Sequence, residues 1–160
     1  GFVRCGNRVN EGHAEMTVCL YQPDGSVLFI YHRPKIRSNN GWSAGGFRVE
    51  TKRGLIKNNT LYKGKAMLLK DPMVMLDPKA VYTGGTTPHV DIDLRVEHTA
   101  CGPTWGYSAD NHWETLPPQE REREKESSTN NFARNHYELF SHIRGTLSVG
   151  GSTISLDGNG

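Results

Sequence analysis

No apolar run in the chain approaches the roughly 20 residues that a membrane-crossing helix requires; the longest, 27–31 and 66–69, stop after a few positions. Cysteine is scarce. Cys5, Cys19 and Cys101 are odd in number, widely spaced and free of any CxxC pair, which argues against a disulfide framework and against a zinc knuckle. A reducing, cytoplasmic setting is therefore expected. Charge of one sign is lacking as well: 19 Lys and Arg stand against 17 Asp and Glu, and the net +2 gives no strong field for nucleic acid or an anionic membrane. GxSxG, P-loop, GxGxxG and HExxH motifs are absent, so hydrolase, NTPase, dinucleotide-binding and zinc-protease readings lose their usual support. The reading finds no sustained helical stripe with capping signals at both ends.

What remains is a single domain over 1–160, loop-rich, with 35% hydrophobic residues, 18 Gly and 8 Pro. A chain of this size buries about 68–70% of its unfolded surface on folding, so it needs neither disulfide nor metal to hold a core. Period-two alternation dominates it. In 89–98, Val90, Ile92, Leu94 and Val96 share one face and polar residues share the other, which predicts a strand with one buried side. Ala14, Met16, Val18 and Leu20 alternate in the same way. Pro23-Asp24-Gly25 then supplies turn chemistry ahead of an apolar strand over 27–33, which predicts a hairpin.

Further strands are expected at 44–51, 61–69, 73–81, 136–149 and 152–156. Breaks are expected at Asn39-Asn40-Gly41, Lys57-Asn58-Asn59 and Gly84-Gly85-Thr86, and Gly150-Gly151 suits a two-residue hairpin turn. Pro72 and Pro78 bracket the 73–81 segment, which marks it as an edge strand or an irregular crossing. Seven to nine antiparallel strands result, and a sheet of that many strands closes into a barrel or curls into a strongly curved sandwich. Between 102 and 135 the alternation lapses into a long polar loop, whose run Gln119-Glu120-Arg121-Glu122-Arg123-Glu124-Lys125-Glu126 mixes charge signs as a solvated excursion does.

Two sets of side chains invite chemistry. His13 with Glu15, His89 with Asp91 and Asp93, and His136 with Glu138 are spaced by two, which puts each set on one face of a strand, about 6.5–7 Å apart. Polar residues at that spacing are also what any half-exposed strand carries, and a catalytic zinc site needs three converging ligands. No metal and no cofactor are expected. The second set is aromatic and imidazole: His32, Trp42, Trp105, Tyr107, His112, Trp113 and Tyr137 fall near strand ends, where a barrel mouth would hold an organic ligand between apolar walls. Single members of this set are equally at home as core or rim packing. Cys19 has no evident base nearby and is read as a small core residue.

The order of several short pieces carries a family resemblance. These are Val9-Asn10-Glu11-Gly12-His13, Gln22-Pro23-Asp24-Gly25, the strand over 64–71 with Asp71-Pro72 and Asp77-Pro78, the alternating strand from Val90, His136-Tyr137-Glu138, the 145–151 hairpin, and Leu156-Asp157-Gly158-Asn159-Gly160. Together they resemble the first barrel of the lipocalin-like proteins related to carotenoid 1,2-hydratase (hydroxyneurosporene synthase) and to AttH-type proteins. The resemblance implies a lipocalin-like fold and a tandem pair of barrels, with a second barrel domain C-terminal to this chain as a partner. It also implies an apolar or amphipathic small-molecule ligand. If there is catalysis, the class implied is a hydro-lyase or isomerase that protonates carbon, for which Glu11, His13, Glu15, Tyr137 and Glu138 are the candidates. Trp42, Trp105, His32 and Tyr107 are then the expected ligand walls. The alternatives are a non-catalytic β-domain that binds carbohydrate or a protein partner, and a metal-dependent cupin-type enzyme resting on the paired His and acidic residues.

Overall fold

A computed structural model of the chain describes residues 1–53, 56–102, 105–106, 117–119 and 137–159. Most of these residues belong to one antiparallel sheet of nine strands. In chain order its members are β1 (Phe2–Arg8), β2 (His13–Tyr21), β3 (Val27–His32), β4 (Trp42–Ala44), β5 (Phe47–Arg53), β6 (Lys57–Leu69), β7 (His89–Ala100), β10 (Ser141–Val149) and β11 (Ser152–Asn159). The short β8 (Trp105–Gly106) and β9 (Tyr137–Glu138) pair separately. The main path runs β1-β2-β3-β6-β7-β10-β11, with the β4–β5 hairpin attached to β6. Among the described residues β1 and β11 each have one partner, so the sheet they form is curled and open rather than a closed barrel. Val3 of β1 and Leu156 of β11 nevertheless pack against the same apolar cluster.

That cluster fills the concave face. Met16 and Val18 from β2, Leu28 and Ile30 from β3, Phe47 from β5, Tyr62 and Ala66 from β6, Ile92, Leu94 and Val96 from β7 and Leu147 from β10 are all buried in it. The alternation in β7 therefore does what it predicts. Its other face carries exposed Asp91, Arg95 and Glu97 and half-buried Asp93, in ion pairs such as Lys65–Asp91 at 3.2 Å and Arg95–Asp93 at 2.9 Å. The 23–25 turn joins β2 to β3, with Asp24 Oδ1 accepting from the Ser26 amide at 2.9 Å. Gly150 and Gly151 take φ of 55° and 91°, the paired positive values of the tight hairpin turn, between β10 and β11.

Four expectations are corrected. The segment 73–81 is not a strand: a 3-10 helix (Pro72–Leu76) leads into α1 (Pro78–Thr83). The reason is that Asp-Pro chemistry at an edge strand and at a helix start looks alike in sequence. Asp71 and Asp77 each cap a helical turn by accepting from the amides of Met73 and Ala80, and Pro72 and Pro78 sit at the first helical position, where a missing N–H costs nothing. The segment 44–51 is not continuous, because Gly45 and Gly46, at φ of 60° and 83°, fold β4 back on β5. Lys57-Asn58-Asn59 is not a break but the start of the 13-residue β6, paired residue for residue with β7 from Lys57↔Thr99 to Met67↔His89. The 136–149 segment is divided at residues 139–140 between β9 and β10. The sequence reading also leaves out β1, which pairs along its whole length with β2.

The helical turn has a structural job. Val81 and Met75 pack on Cys19, Val27, Phe29, Met67 and Leu69, a second apolar cluster on the outer face of β2, β3 and β6. No described helix is long and apolar enough to cross a membrane. The polar excursion over 102–135 lies, apart from residues 102, 105–106 and 117–119, outside the described residues.

Candidate functional site

The strand β6 holds two partners on one edge. Its end Met67–Leu68–Leu69 pairs with β3, and its first half, up to Tyr62, pairs with β5. Residues 63–66 between them have no ladder partner on that edge among the described residues, which leaves a notch in the wall of the sheet. Local chemistry satisfies the freed groups. The Lys63 amide donates to Gly46 O at 3.1 Å, and the Tyr62 hydroxyl donates to Lys65 O at 2.9 Å. Glycine is required at both sides of this seam. A Cβ on Gly46 would lie 2.5 Å from Lys63 O, and one on Gly64 would lie 2.6 Å from the Tyr62 hydroxyl.

Outside the notch lies a cleft of about 390 Å³, lined by the β4–β5 turn, Phe47, Leu61 and Tyr62, with Arg48, Lys63, Asp93 and Arg95 at its rim. Leu61, between the β4–β5 turn and β7, thus floors a depression whose margin is mainly cationic, while the Phe47 and Tyr62 side chains are buried on the inner face behind it. Arg48 is engaged with Glu50 at 2.7 Å and Arg95 with Asp93 at 2.9 Å. The Arg95 guanidinium beside Asp93 holds that carboxyl below its ordinary range, chiefly by hydrogen bonding. On the other side of the wall His32 Nε2 lies 3.2 Å from the Tyr62 hydroxyl, and the Phe47 and Tyr62 rings are 6.4 Å apart. A smaller depression of about 250 Å³ lies among Lys57, Glu97, Thr99, His142 and Arg144.

At the far end of the concave face, the buried Asn58, Thr60 and Ser141 surround His98 in the apolar surface. Ser141 Oγ lies 3.5 Å from His98 Nδ1, while His98 Nε2 is buried with no hydrogen-bond partner among the described residues. Burial pushes the His98 pKa down and favours the neutral ring. Neither this group nor the cleft is marked in the sequence by any motif. Both come from residues far apart in the chain that strand register brings together.

The candidates read from the sequence are dispersed. Glu11, His13 and Glu15 cluster on the outer face at β1–β2, with His13 Nε2 at 3.6 Å from Glu11 Oε2 and the Glu15 oxygens engaged by arginines. None of the three belongs to the concave core or lines the cleft. Glu138 is exposed within the separate two-stranded sheet, opposite Trp105; the side chains of Trp105 and Tyr137, and the whole of Tyr107, His112, Trp113 and His136, lie outside the described residues. His32 comes to the notch, and Trp42, half-buried, is on β4 of the hairpin that borders it. Among the described residues no three His, Cys, Asp or Glu side chains gather as a metal site would require, and His89, Asp91 and Asp93 lie along the outer edge of β7 in the manner of an ordinary solvated strand face.

A family model matches the chain from residue 1 to residue 160. The chain belongs to the DUF7064 family, a domain of unknown function. No curated protein and no solved structure matches it. The DUF7064 domain is thus defined here by its own geometry: an open curled sheet, a notch in its wall and a cation-rimmed cleft outside that notch.

Proposed function

We propose that this DUF7064 domain binds an amphipathic small molecule in the cleft outside the β3–β5 notch, its apolar part on Leu61 and the β4–β5 turn at Ala44 and its polar end at Lys63. The observation that carries the reading is the cleft itself, about 390 Å³ with apolar floor and cationic rim. That falls in the range of about 300–1,000 Å³ typical of small-molecule sites. Lys63 contributes most to selectivity, since Arg48 and Arg95 are each tied to a carboxylate. The resemblance to lipocalin-like hydratases supports a binding role, and what it implies is a domain that forms half of a larger hydratase- or isomerase-like protein. The reading for the domain itself is binding rather than catalysis, because Glu11 and Glu15 sit where no apolar enclosure surrounds them, and carbon protonation requires one.

The test is a fluorescence titration with 8-anilinonaphthalene-1-sulfonate, an amphipathic anion. We expect saturable one-site binding, weakened about tenfold in Lys63→Ala by loss of one charge-assisted contact and abolished in Leu61→Arg, which fills the floor. Unsaturable binding, or equal affinity in both variants, would overturn the site. A second reading, contact with a protein partner, draws on Met73, Val74 and Leu76, large apolar side chains exposed on the 3-10 helix.

A further inference from the structure

The outer face of β1–β3 gathers cations that neither the core nor the cleft uses. Strand register sets them in rows: Arg8, His13 and Lys35 lie side by side, Gly6 and Glu15 in the next row, and Arg4, Thr17 and Tyr31 in the one after. Arg33, one residue beyond β3, closes the middle row, its Nη2 being 3.4 Å from Glu15 Oε2. Arg8 Nε reaches the same oxygen at 3.3 Å, and Arg4 Nη1 stands 3.9 Å from the other. Three guanidinium groups from neighbouring strands thus converge on one carboxylate.

The charges do not cancel. Glu11 and Glu15 offset two of the four cations Arg4, Arg8, Arg33 and Lys35, which leaves two over. The Glu15 side chain is 11% exposed, whereas those of Arg4 and Arg33 are 42% and 58% exposed, so the anion is sunk beneath the cations that surround it. Each guanidinium has five N–H donors in a planar fork, and one carboxylate occupies only a few of them. Gly6 places no side chain between Arg4 and Arg8, and a Cβ there would meet nothing nearer than Glu15 O at 3.9 Å, so the space between the two arginines is open. Arg33 is steadied from the other side by the Tyr31 ring, 5.6 Å from its guanidinium carbon.

We propose that this arginine cradle binds a phosphate group. A phosphate monoester carries a charge of about −1.5 to −2 near neutral pH, which matches the uncompensated cations, and its oxygens accept from planar forks on several sides at once. Glu15 is the positioning residue: it spreads the three arginines around the opening without touching the ligand. The phosphate comes either from a soluble ester or from a phospholipid headgroup. The cradle is on β1–β3 and the cleft on β4–β7, so either site stands or falls without the other.

The experiment has two arms: calorimetric titration of the chain with pyrophosphate, and flotation with phosphatidylcholine vesicles that contain or lack phosphatidic acid. In at least one arm we expect saturable binding that weakens with added salt, falls about tenfold or more in Arg4→Ala/Arg33→Ala and is unchanged in Lys63→Ala. Pyrophosphate binding alone assigns a soluble ligand, and binding to phosphatidic acid vesicles alone assigns a headgroup. Absence of binding in both arms, or equal binding by the double variant, overturns the cradle. Circular dichroism checks the fold of that variant; if it is lost, Arg33→Gln, at the most exposed member of the network, gives the same reading.

Discussion

Strands β2 and β11 are built to the same local rule and end in opposite environments. Both alternate apolar and polar residues, Ala14, Met16, Val18 and Leu20 in one, Ile154 and Leu156 in the other. In β2 six consecutive residues, Ala14 to Cys19, are buried, whereas β11 is exposed from Ser152 to Ser155. The difference is one of cover. One face of β2 looks into the concave core; its other face lies beneath Arg4, Arg8 and Arg33 at Glu15 and, at Cys19, against the cluster that Val81 and Met75 roof. β11 has β10 on one edge and no described strand on the other. Alternation assigns a side chain to a face, but a strand is buried only where other elements arrive to cover that face.

The comparison breaks most sharply under truncation. Met16→Ala removes a side chain 1% exposed within the main cluster and should cost about 2–5 kcal/mol. Ile154→Ala, at a side chain 49% exposed, should stay within about 0.5 kcal/mol. Urea unfolding of the two variants measures both. Equal costs would mean that β11 is covered in solution.

Thiol reactivity sharpens the same contrast with a smaller perturbation. Cys5, packed with its Sγ 3.1 Å from Met16 Sδ, has its pKa pushed up to about 12 by burial, and burial raises that of Cys19 as well, while Cys101 is exposed. Since the thiolate is the reacting form, iodoacetamide at pH 8 should label Cys101 first, and Cys5 and Cys19 only once denaturant opens the sheet. Mass spectrometry of the labelled protein reads the order. Early labelling of Cys5 would show that β1 frays from β2.

The mildest test is acid. Burial lowers the His98 pKa below its ordinary value of 6.5, so the unfolded chain takes up a proton before the folded one. The stability present above pH 6.5 should therefore decline as the pH falls through 6.5 towards the folded value. Urea midpoints measured downward from pH 7.5 should show this loss, and His98→Asn should reduce it. A slope unchanged in His98→Asn would assign the acid sensitivity to other groups.

Much of the sheet was legible in advance. The 89–98 alternation, the 23–25 turn and the Gly150-Gly151 turn all describe elements whose conformation depends on neighbours in sequence, and all three are present. The start of β6 was not legible, because Lys57, Asn58 and Asn59 have turn-like composition and become strand only by pairing with Thr99, His98 and Glu97, some forty residues away. The Asp-Pro pairs at 71–72 and 77–78 were visible, but the same chemistry serves as a strand breaker or a helix start, and the packing of Val81 on Met67 and Leu69 selects the second. Of the candidate ligand residues, His32 reaches the Tyr62 hydroxyl behind the notch but does not line the cleft. Lys63 and Arg48 were not legible, since a lysine or arginine on the polar side of a strand looks like any solvated charge.

The amino-acid order by itself determined that this chain is an antiparallel β-protein with tight glycine turns, because side-chain alternation and positive φ are properties of a few adjacent residues. Tertiary structure alone decided that the sheet curls without closing, that β6 changes partners to leave a notch, and that three arginines surround Glu15. Each of these depends on which distant strands share an edge, and a pairing across tens of residues has no signature in either partner alone.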